Sequence, residues 1–146
     1  MAVQVVRCIG LPDMFAQLRD AARAEGYAFL DRLDARWRND AYDGDASACV
    51  LAAFIDGDIA AIGAQTFDEY DPHPDHRRLR HVYVIPAHRR GGVGRAVAGA
   101  LIQEAFAIAP ILHVRATHAG SIAFWDAMGF ERLPRRPDRT HWLTRA

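Results

Sequence analysis

The spacing of hydrophobic positions changes several times along the first half of the chain. Between residues 15 and 37, apolar side chains recur three and four positions apart, which predicts two amphipathic helices. Apolar runs at Cys49–Ile55 and Ile59–Phe67 flank the dipeptide Asp56-Gly57, which is typical of a tight hairpin turn. Val3–Cys8 alternates weakly and predicts a first strand.

The second half alternates predicted strands with predicted helices. Leu79–Ile85 is rich in Val and Ile and predicts a central strand, which ends at Pro86 because proline has no N–H to donate. The remaining predicted elements are a helix to about Ile108, a strand at Ile111–Ala116, a short helix at Ala119–Met128 and strands at Phe130–Leu133 and His141–Thr144. This order predicts an α/β domain with a mixed sheet.

A glycine-rich turn lies between the central strand and the helix that follows it. The segment Arg89–Gly94 reads RRGGVG, and Arg95 comes directly after it. Helix N-termini carry unpaired N–H groups and a partial positive charge, and glycines leave backbone amides uncovered. The pattern by itself indicates either an anion site suited to a diphosphate or an arginine-flanked turn that only caps the helix. The spacing matches neither a Walker loop nor a dinucleotide fingerprint.

Two motifs carry a resemblance to a known family. Arg89-x-x-Gly92-x-Gly94, placed after Val82-Tyr83-Val84-x-Pro86, resembles the acetyl-CoA-binding motif of the GCN5-related N-acetyltransferases. Ala123-Phe124-Trp125-x-x-x-Gly129-Phe130 is similar to a later segment of that family. The length predicts one domain over residues 1–146. The resemblance, which is tight over about residues 79–133, implies that this is an N-acetyltransferase domain with a mixed, mostly antiparallel central sheet flanked by helices and a splayed central strand pair. It also implies acetyl transfer from acetyl-CoA to a primary amine by direct attack in a ternary complex.

The resemblance assigns coenzyme-binding roles residue by residue. In the family the central strand bends away from its neighbour, and the pantetheine arm lies between the two strands. Carried over, the coenzyme-binding residues are Val82, Tyr83, Val84, Arg89, Arg90, Gly91, Gly92, Val93, Gly94, Arg95, His118 and Trp125. A backbone N–H of the central strand would stabilise the thioester oxygen as negative charge develops.

Three residues are candidates for acid–base chemistry. Several family members carry a Glu five residues before an Asn, and the corresponding positions here are His113 and His118. His113 is therefore a candidate base, because imidazole titrates near neutrality, although a satisfied strand histidine explains it equally well. The alternative base is His81, with Asp68 or Glu69 behind it acting through water.

Trp125 departs from the family pattern. The family frequently has a Tyr acid at this position, and an indole cannot serve as that acid. The leaving thiol has a pKa near 8.5 and leaves as a thiolate or takes a proton from water. The substitution keeps a second function open, namely a non-catalytic acyl-CoA-binding or sensor protein with the same fold.

Charge is unevenly distributed along the chain. The net charge is zero, yet residues 1–75 contain 6 Arg and 14 acidic residues, whereas residues 76–146 contain 12 Arg and 4 acidic residues. We interpret the basic half as facing the coenzyme phosphates and the acidic half as favouring a cationic amine acceptor. The loop segment Asp68–Asp71 (DEYD) is either a solvated loop or a lip that grips the acceptor amine.

The composition bounds the remaining expectations. The zero net charge argues against a nucleic-acid partner, and no apolar run is long enough for a membrane span. Arg7 and Asp13 stand where a signal peptide needs an apolar core, so a cytoplasmic protein with two reduced thiols is expected. Two loop histidines without a third ligand do not indicate a metal site. The expected partner is a small-molecule or peptide amine, and the sequence leaves open whether the acceptor is a small amine, an antibiotic, a peptide N-terminus or a protein lysine. A homodimer is compatible with the resemblance.

Overall fold

The computed structural model describes residues 2–39, 42, 44–134 and 137–145. These residues include a seven-stranded sheet. The strands are β1 (Val3–Arg7), β2 (Cys49–Ile55), β3 (Asp58–Phe67), β4 (His76–Val84), β5 (Ile111–Val114), β6 (Glu131–Arg132) and β7 (His141–Thr144). The α-helices are α1 (Phe15–Ala24), α2 (Phe29–Arg38), α3 (Val93–Phe106) and α4 (Ala119–Ala127). A short 3₁₀ helix covers Pro86–His88.

The sheet has the order β1-β2-β3-β4-β5-β7-β6. Every neighbouring pair is antiparallel except β4 and β5, which run parallel. The predicted mixed, mostly antiparallel sheet flanked by helices is thereby confirmed. The predicted hairpin is also present, because Asp56 and Gly57 both have positive φ angles, of 51° and 84°, as a type I′ turn requires.

Helices cover both faces of the sheet. On one face α3 and α4 pack on alternate residues of β2 such as Leu51 and Ala53. On the other face α1 and α2 pack on the intervening residues, including Val50 and Ala52. The nearly continuous burial of β2 and β3 follows from this two-sided cover, since both sets of alternating side chains face a helix layer.

The splayed strand pair opens the centre of the sheet. β4 and β5 pair only over His76–Arg78 and Ile111–His113, so the remainder of β4 has no partner on that side among the described residues. A β-bulge then changes the direction of β4, because His81 and Val82 together oppose the single residue Gly63 of β3. His81 has a φ of 60°, in the left-handed region where histidine is enriched among non-glycine residues. The sheet therefore presents backbone groups of β4 along an open cleft.

The start of β4 differs from the prediction. The strand begins at His76, whereas the sequence predicts a loop up to Arg78. Arg77 and Arg78 are buried in the sheet, where Gln65 and Asp45 bind Arg77 and Asp68 binds Arg78. These charged side chains can belong to the strand because two carboxylates and an amide from other segments pair with them.

The two cysteines and the helices bear on what the composition predicts. Cys8 and Cys49 are both free, and Cys49 is buried while Cys8 is partly buried. Burial raises the pKa of both thiols, which keeps them protonated. None of the helices in the described ranges has the length and apolar content needed to cross a membrane.

Candidate active site

A cavity of about 500 Å³ lies at the C-terminal end of β4, where β4 diverges from β5. Its walls come from β4, the glycine-rich turn, the start of α4 and the segment between α1 and α2. The lining residues are Tyr27, Phe29, Val82, Tyr83, Val84, Arg89, Arg90, Gly92, Gly94, Arg95, His118, Gly120, Ser121, Phe124 and Trp125. Ten of the twelve residues expected to bind the coenzyme are in this set; Gly91 and Val93 are not. The side chain of Val93 is buried in the core instead.

The glycine-rich turn forms a concave array of amides. Arg90 and Gly92 have φ angles of 68° and 81°, and Gly91 between them is not in the positive region. Such alternation in backbone conformation turns successive N–H groups toward one point, an arrangement that binds anions. Within the described chain, no backbone N–H from Arg90 to Arg95 donates to another residue. These amides, together with the N-terminus of α3, fit a diphosphate.

Gly94 allows a close approach of three elements at this cavity. A Cβ atom at this position would lie 3.1 Å from Cγ2 of Val84 and 3.2 Å from Cε1 of Phe124. Both neighbours line the cavity, so a larger side chain at Gly94 would push into the space where the coenzyme is expected. The second glycine of the motif is therefore needed for space, whereas Gly92 is needed for its backbone conformation.

Arg89 has a partner that the sequence does not predict. Its guanidinium makes two hydrogen bonds of 2.7 Å to Glu25, and its Nε donates to the carbonyl of Val84. The hydroxyl of Tyr83 also donates to Glu25, and Arg89 lies over the Tyr83 ring. The hydrogen bonds from Arg89 hold the pKa of Glu25 below its usual value, so the carboxylate is ionised. Arg90 and Arg95 make no ion pair among the described residues and are the freer cations beside the turn.

A second cavity, of about 290 Å³, adjoins the first. It lies between α2, the middle of β4 and the segment after β5. Its lining residues are Tyr27, Phe29, Arg32, Arg36, Tyr70, Arg78, Leu79, Arg80, His81, Val82, Val114, Arg115, Thr117, His118, Ser121 and Trp125. Five arginines and no acidic residue are in this set.

The two cavities share one wall. Six residues line both of them, namely Tyr27, Phe29, Val82, His118, Ser121 and Trp125. Four of the six are aromatic side chains, and Val82 belongs to the bulged part of β4. A group held at the end of one cavity therefore meets a group held at the end of the other. This arrangement suits a reaction between two bound molecules.

The carboxylates of the predicted lip are bound to arginines instead of facing a cavity. Glu69 accepts from Arg36 and from Arg80, and Asp68 pairs with Arg78. Tyr70 is the member of the lip that lines the second cavity, and as a residue it is 62% exposed. The expected cationic acceptor is not supported by this arrangement. Glu25, Asp68 and Glu69 of the first half neutralise arginines of the fold, and the cavity itself is basic.

His113 lies outside both cavities. It is 2% exposed, and its Nδ1 is 3.0 Å from Oδ2 of Asp68 and 3.2 Å from Nη1 of Arg139. The ring also packs edge-on against His76. The five-residue spacing places His113 on β5 as expected. Its ring, however, lies in the protein interior and lines neither cavity. This position does not favour direct contact with an acceptor amine.

The two other base candidates have strongly perturbed pKa values. Burial lowers the pKa of His81 to about 3, and the charges of Arg80 and Arg36 lower it further in the same direction. Its Nε2 is buried without a hydrogen-bond partner among the described residues. Burial alone would raise the pKa of Glu69, but hydrogen bonds from Arg80 and Arg36 outweigh it and lower the value to about 2. Neither group is poised to take a proton near neutral pH.

His118 and Trp125 lie at the shared wall. His118 caps α4, since its Nδ1 accepts from the N–H of Ser121 while the Ser121 hydroxyl bonds back to the His118 backbone. Its ring stacks on Tyr27 with 5.2 Å between centroids. Because Nδ1 accepts, the neutral imidazole carries its proton on Nε2. Trp125 is buried and packs against Phe124 and Phe130.

Sequence reasoning missed the arginines of the second cavity. A signal was present in part, because Arg32 and Arg36 are four apart on a predicted helix, whereas the spacing of two between Arg78 and Arg80 became informative only once β4 was seen to begin at His76. These spacings place each pair on one face of its element. Summing the charge over each half of the chain concealed that pattern. Among the described residues, no group of three or more His, Cys, Asp or Glu side chains is arranged to hold a metal ion.

Comparisons with solved structures show the same fold in several bacteria and an archaeon. A protein from Exiguobacterium sp. 255-15, proposed to be an acetyltransferase, superposes with a TM-score of 0.87 at 23% identity, over 99% of this chain and 94% of that one. A GNAT family acetyltransferase from Brucella melitensis, solved with acetyl-CoA, gives a TM-score of 0.69 at 17% identity over 99% and 89%. The PaiA N-acetyltransferase of Thermoplasma acidophilum, solved with coenzyme A, gives 0.70 at 12% identity over 99% and 100%.

Sequence comparison assigns the family. An uncharacterised protein of Mycobacterium leprae is 35% identical over an 86-residue alignment that covers 52% of this chain and 24% of that protein. This chain therefore spans about a quarter of the length of the curated relative it matches. The family model described as the Acetyltransferase (GNAT) family matches residues 13–130, which include the glycine-rich turn, both cavities and the Trp125 segment. The chain belongs to the GNAT acetyltransferase family.

Proposed function

We propose that this protein transfers an acetyl group from acetyl-CoA to an amine by direct attack in a ternary complex. The observation that carries the proposal is the wall shared by the two cavities. The larger cavity has the amide concavity and the arginines suited to the coenzyme diphosphate. The smaller cavity opens onto the same six residues and offers space for an acceptor.

In this proposal the donor lies along the unpaired edge of β4. Val82, Tyr83 and Val84 provide backbone groups beside the acyl chain, and one of their N–H groups stabilises the thioester oxygen as charge develops. Arg90, Arg95 and the amides of the turn hold the diphosphate. Arg89 stays bound to Glu25 and shapes the wall of the cavity from there.

The acceptor enters with its amine already neutral. His81 and Glu69 have pKa values of about 3 and about 2, so neither removes a proton efficiently near pH 7. His113 supports Asp68 in the interior. His118 lies at the junction, and we assign its Nε2–H as a hydrogen-bond donor beside the leaving sulfur. It takes the position where the family frequently has an Asn, next to the indole that replaces the usual Tyr acid.

Two measurements test the proposal. Calorimetric titration with acetyl-CoA should show saturable binding that weakens as salt is added, because phosphate contacts are screened. Release of free thiol on a panel of amines, with initial rates measured over both substrate concentrations, should give intersecting double-reciprocal lines, as a ternary complex requires. Parallel lines would instead indicate a covalent acetyl-enzyme and would contradict direct attack.

The second candidate function is a non-catalytic acyl-CoA-binding sensor. Trp125 favours it, because an indole replaces the frequent family acid at the point where the cavities meet. Binding of acetyl-CoA without thiol release on any amine of the panel would support the sensor. A Trp125→Tyr variant sharpens the distinction, since a gain of turnover in that variant would indicate that the family acid alone was missing.

A further inference from the structure

We infer that the second cavity recognises an oxyanion, so that the acceptor is a small amine that also carries a carboxylate or phosphate group. This inference rests on the proposed function, because it concerns the acceptor site of the same reaction. It is carried by the side chains that line the cavity and by the partners that those side chains have and lack.

Positive charge converges on the cavity from three elements. Arg32 and Arg36 lie one turn apart on α2, Arg78 and Arg80 lie two residues apart on β4, and Arg115 follows β5. No Asp or Glu lines the cavity. Arginine offers several donors in a planar fork that matches carboxylate and phosphate oxygens.

The nearby carboxylates do not balance these arginines. Glu69 serves both Arg36 and Arg80, and Asp68 serves Arg78. The side chains of Arg32 and Arg115 make neither an ion pair nor a hydrogen bond with any described residue. The cavity therefore has an excess of positive charge and two arginines that are available to a ligand.

The same charges favour the reactive form of an amine. Positive charges disfavour an ammonium ion next to them, and therefore shift a bound amine toward its neutral form. A peptide α-amine has a pKa of about 7.7–8.0, and the adjacent carboxylate of a free amino acid raises that value, yet such an amine still needs a smaller shift than a lysine side chain near 10.4. An anionic group elsewhere on the acceptor supplies the attraction that the ammonium group would lose.

The bonds and protons balance without a protein base. The ammonium form of the acceptor releases one proton to water before attack. The nitrogen lone pair then forms the C–N bond, the C–S bond breaks, and the second proton leaving the nitrogen goes to the thiolate through water. The products are the N-acetyl compound, coenzyme A thiol and one released proton.

The cavity size narrows the acceptor further. A volume of about 290 Å³ is at the lower end of the range for ligand pockets. This size suits a free amino acid or a compound of similar dimensions. Tyr70, which stacks under Arg78 with 4.7 Å from the guanidinium carbon to the ring centroid, closes one side of the cavity.

The test uses matched acceptors and measures thiol release from acetyl-CoA. Each of the common amino acids is compared with its carboxamide, and phosphoethanolamine is compared with ethanolamine, with every rate expressed per concentration of neutral amine because the anionic group raises the amine pKa. We expect the best carboxylate or phosphate acceptor to exceed its uncharged match by about tenfold or more in kcat/KM, as one ionic hydrogen bond allows. The amino acid arm and the phosphate arm separate the two sources of the oxyanion. Equal or faster turnover of the uncharged matches would overturn the inference while leaving the acetyltransferase proposal intact.

Variants locate the effect. Arg32→Ala and Arg115→Ala should each lower kcat/KM for the anionic acceptor by about tenfold more than for its uncharged match. Arg38→Ala is the matched control, because Arg38 is exposed at the end of α2 and pairs with Asp34 outside the cavity. If the control and the two cavity variants behaved alike, the inference would be wrong.

A binding measurement separates failure of the inference from failure of the proposed function. Inorganic phosphate is titrated calorimetrically into the protein saturated with coenzyme A, so that the coenzyme's own phosphate sites are occupied. If no amine is acetylated, the proposed function fails, but binding of phosphate that is lost in Arg32→Ala and Arg115→Ala still supports the oxyanion site. Absence of phosphate binding together with absence of any preference for anionic acceptors overturns it.

Discussion

Replacement of Asp68 by Ala should lower the free energy of unfolding, because Asp68 belongs to a buried network of charges that includes Arg78 of the second cavity. The Asp68 side chain is completely buried, and Oδ2 lies 3.0 Å from Nδ1 of His113 and 4.0 Å from Nη1 of Arg139. Oδ1 lies 3.4 Å from Nη1 of Arg78 and accepts from the backbone N–H of Tyr70. The Asp68→Ala variant therefore leaves two buried guanidinium groups and an imidazole without this carboxylate.

The size of the effect follows from what the partners retain. Removing one member of a buried ion pair costs about 3–5 kcal/mol of folding free energy. Arg139 keeps Asp71 at 2.9 Å, and Arg78 keeps the Asp138 carbonyl and the Tyr70 ring. We therefore expect the lower end of the range, about 3 kcal/mol, which is a large share of the roughly 5–15 kcal/mol that stabilises an ordinary domain.

Guanidinium denaturation at pH 7 measures this difference directly. Asp68→Asn should lose less than Asp68→Ala, because the amide oxygen can still accept one hydrogen bond. Asp20→Ala is the control, since the Asp20 side chain is 68% exposed and its nearest arginine nitrogens are 3.8–3.9 Å away. This variant should change the free energy of unfolding by less than about 0.5 kcal/mol. An Asp68→Ala variant within about 1 kcal/mol of the parent would refute the reasoning, because a structurally required buried carboxylate cannot be removed at so small a cost.

Three other predictions concern the site. Gly94→Leu should raise the acetyl-CoA dissociation constant by about tenfold or more in calorimetry, because the new side chain meets Phe124 and fills the cavity. Gly99→Ala in the same helix is the control, since no atom lies within 4 Å of the added Cβ, and it should bind acetyl-CoA like the parent protein. The pKa of His81 is about 3 in the folded protein and 6.5 in the unfolded chain, so the unfolded state binds more protons between these pH values. The free energy of unfolding should therefore fall as the pH drops from 6.5 toward 3, by at most about 1.4 kcal/mol per pH unit. His81→Asn should flatten that slope in denaturation at several pH values, and an unchanged slope would contradict the assignment. His113→Asn should lower stability yet leave kcat/KM within about threefold, and a selective collapse of kcat would restore His113 as the base.

The parts of the site that the sequence predicts are local in the chain. Arg90, Gly92 and Gly94 lie within five consecutive residues at a strand–helix junction, so their geometry follows from backbone rules that apply over one turn. The hairpin at Asp56-Gly57 is predictable for the same reason.

The parts that the sequence does not predict depend on partners far away in the chain. Glu25 binds Arg89 across 64 positions, and Asp68 meets His113 across 45 positions. Local patterns do not fix such pairs, because the sheet order that brings them together results from packing of the whole core. His113 illustrates the limit, since motif spacing places it on the correct strand but leaves undetermined whether its ring faces the cleft or the interior.

Trp125 gives this protein a built-in optical reporter. Indole emission depends on the polarity and mobility of its surroundings, and this ring borders both cavities at once. The other two tryptophans are elsewhere: Trp37 lies beside Tyr42, and Trp142 is on β7. Replacing those two by Phe would leave one fluorophore at the junction, and rapid mixing could then resolve which ligand arrives first and which departs last without any attached label.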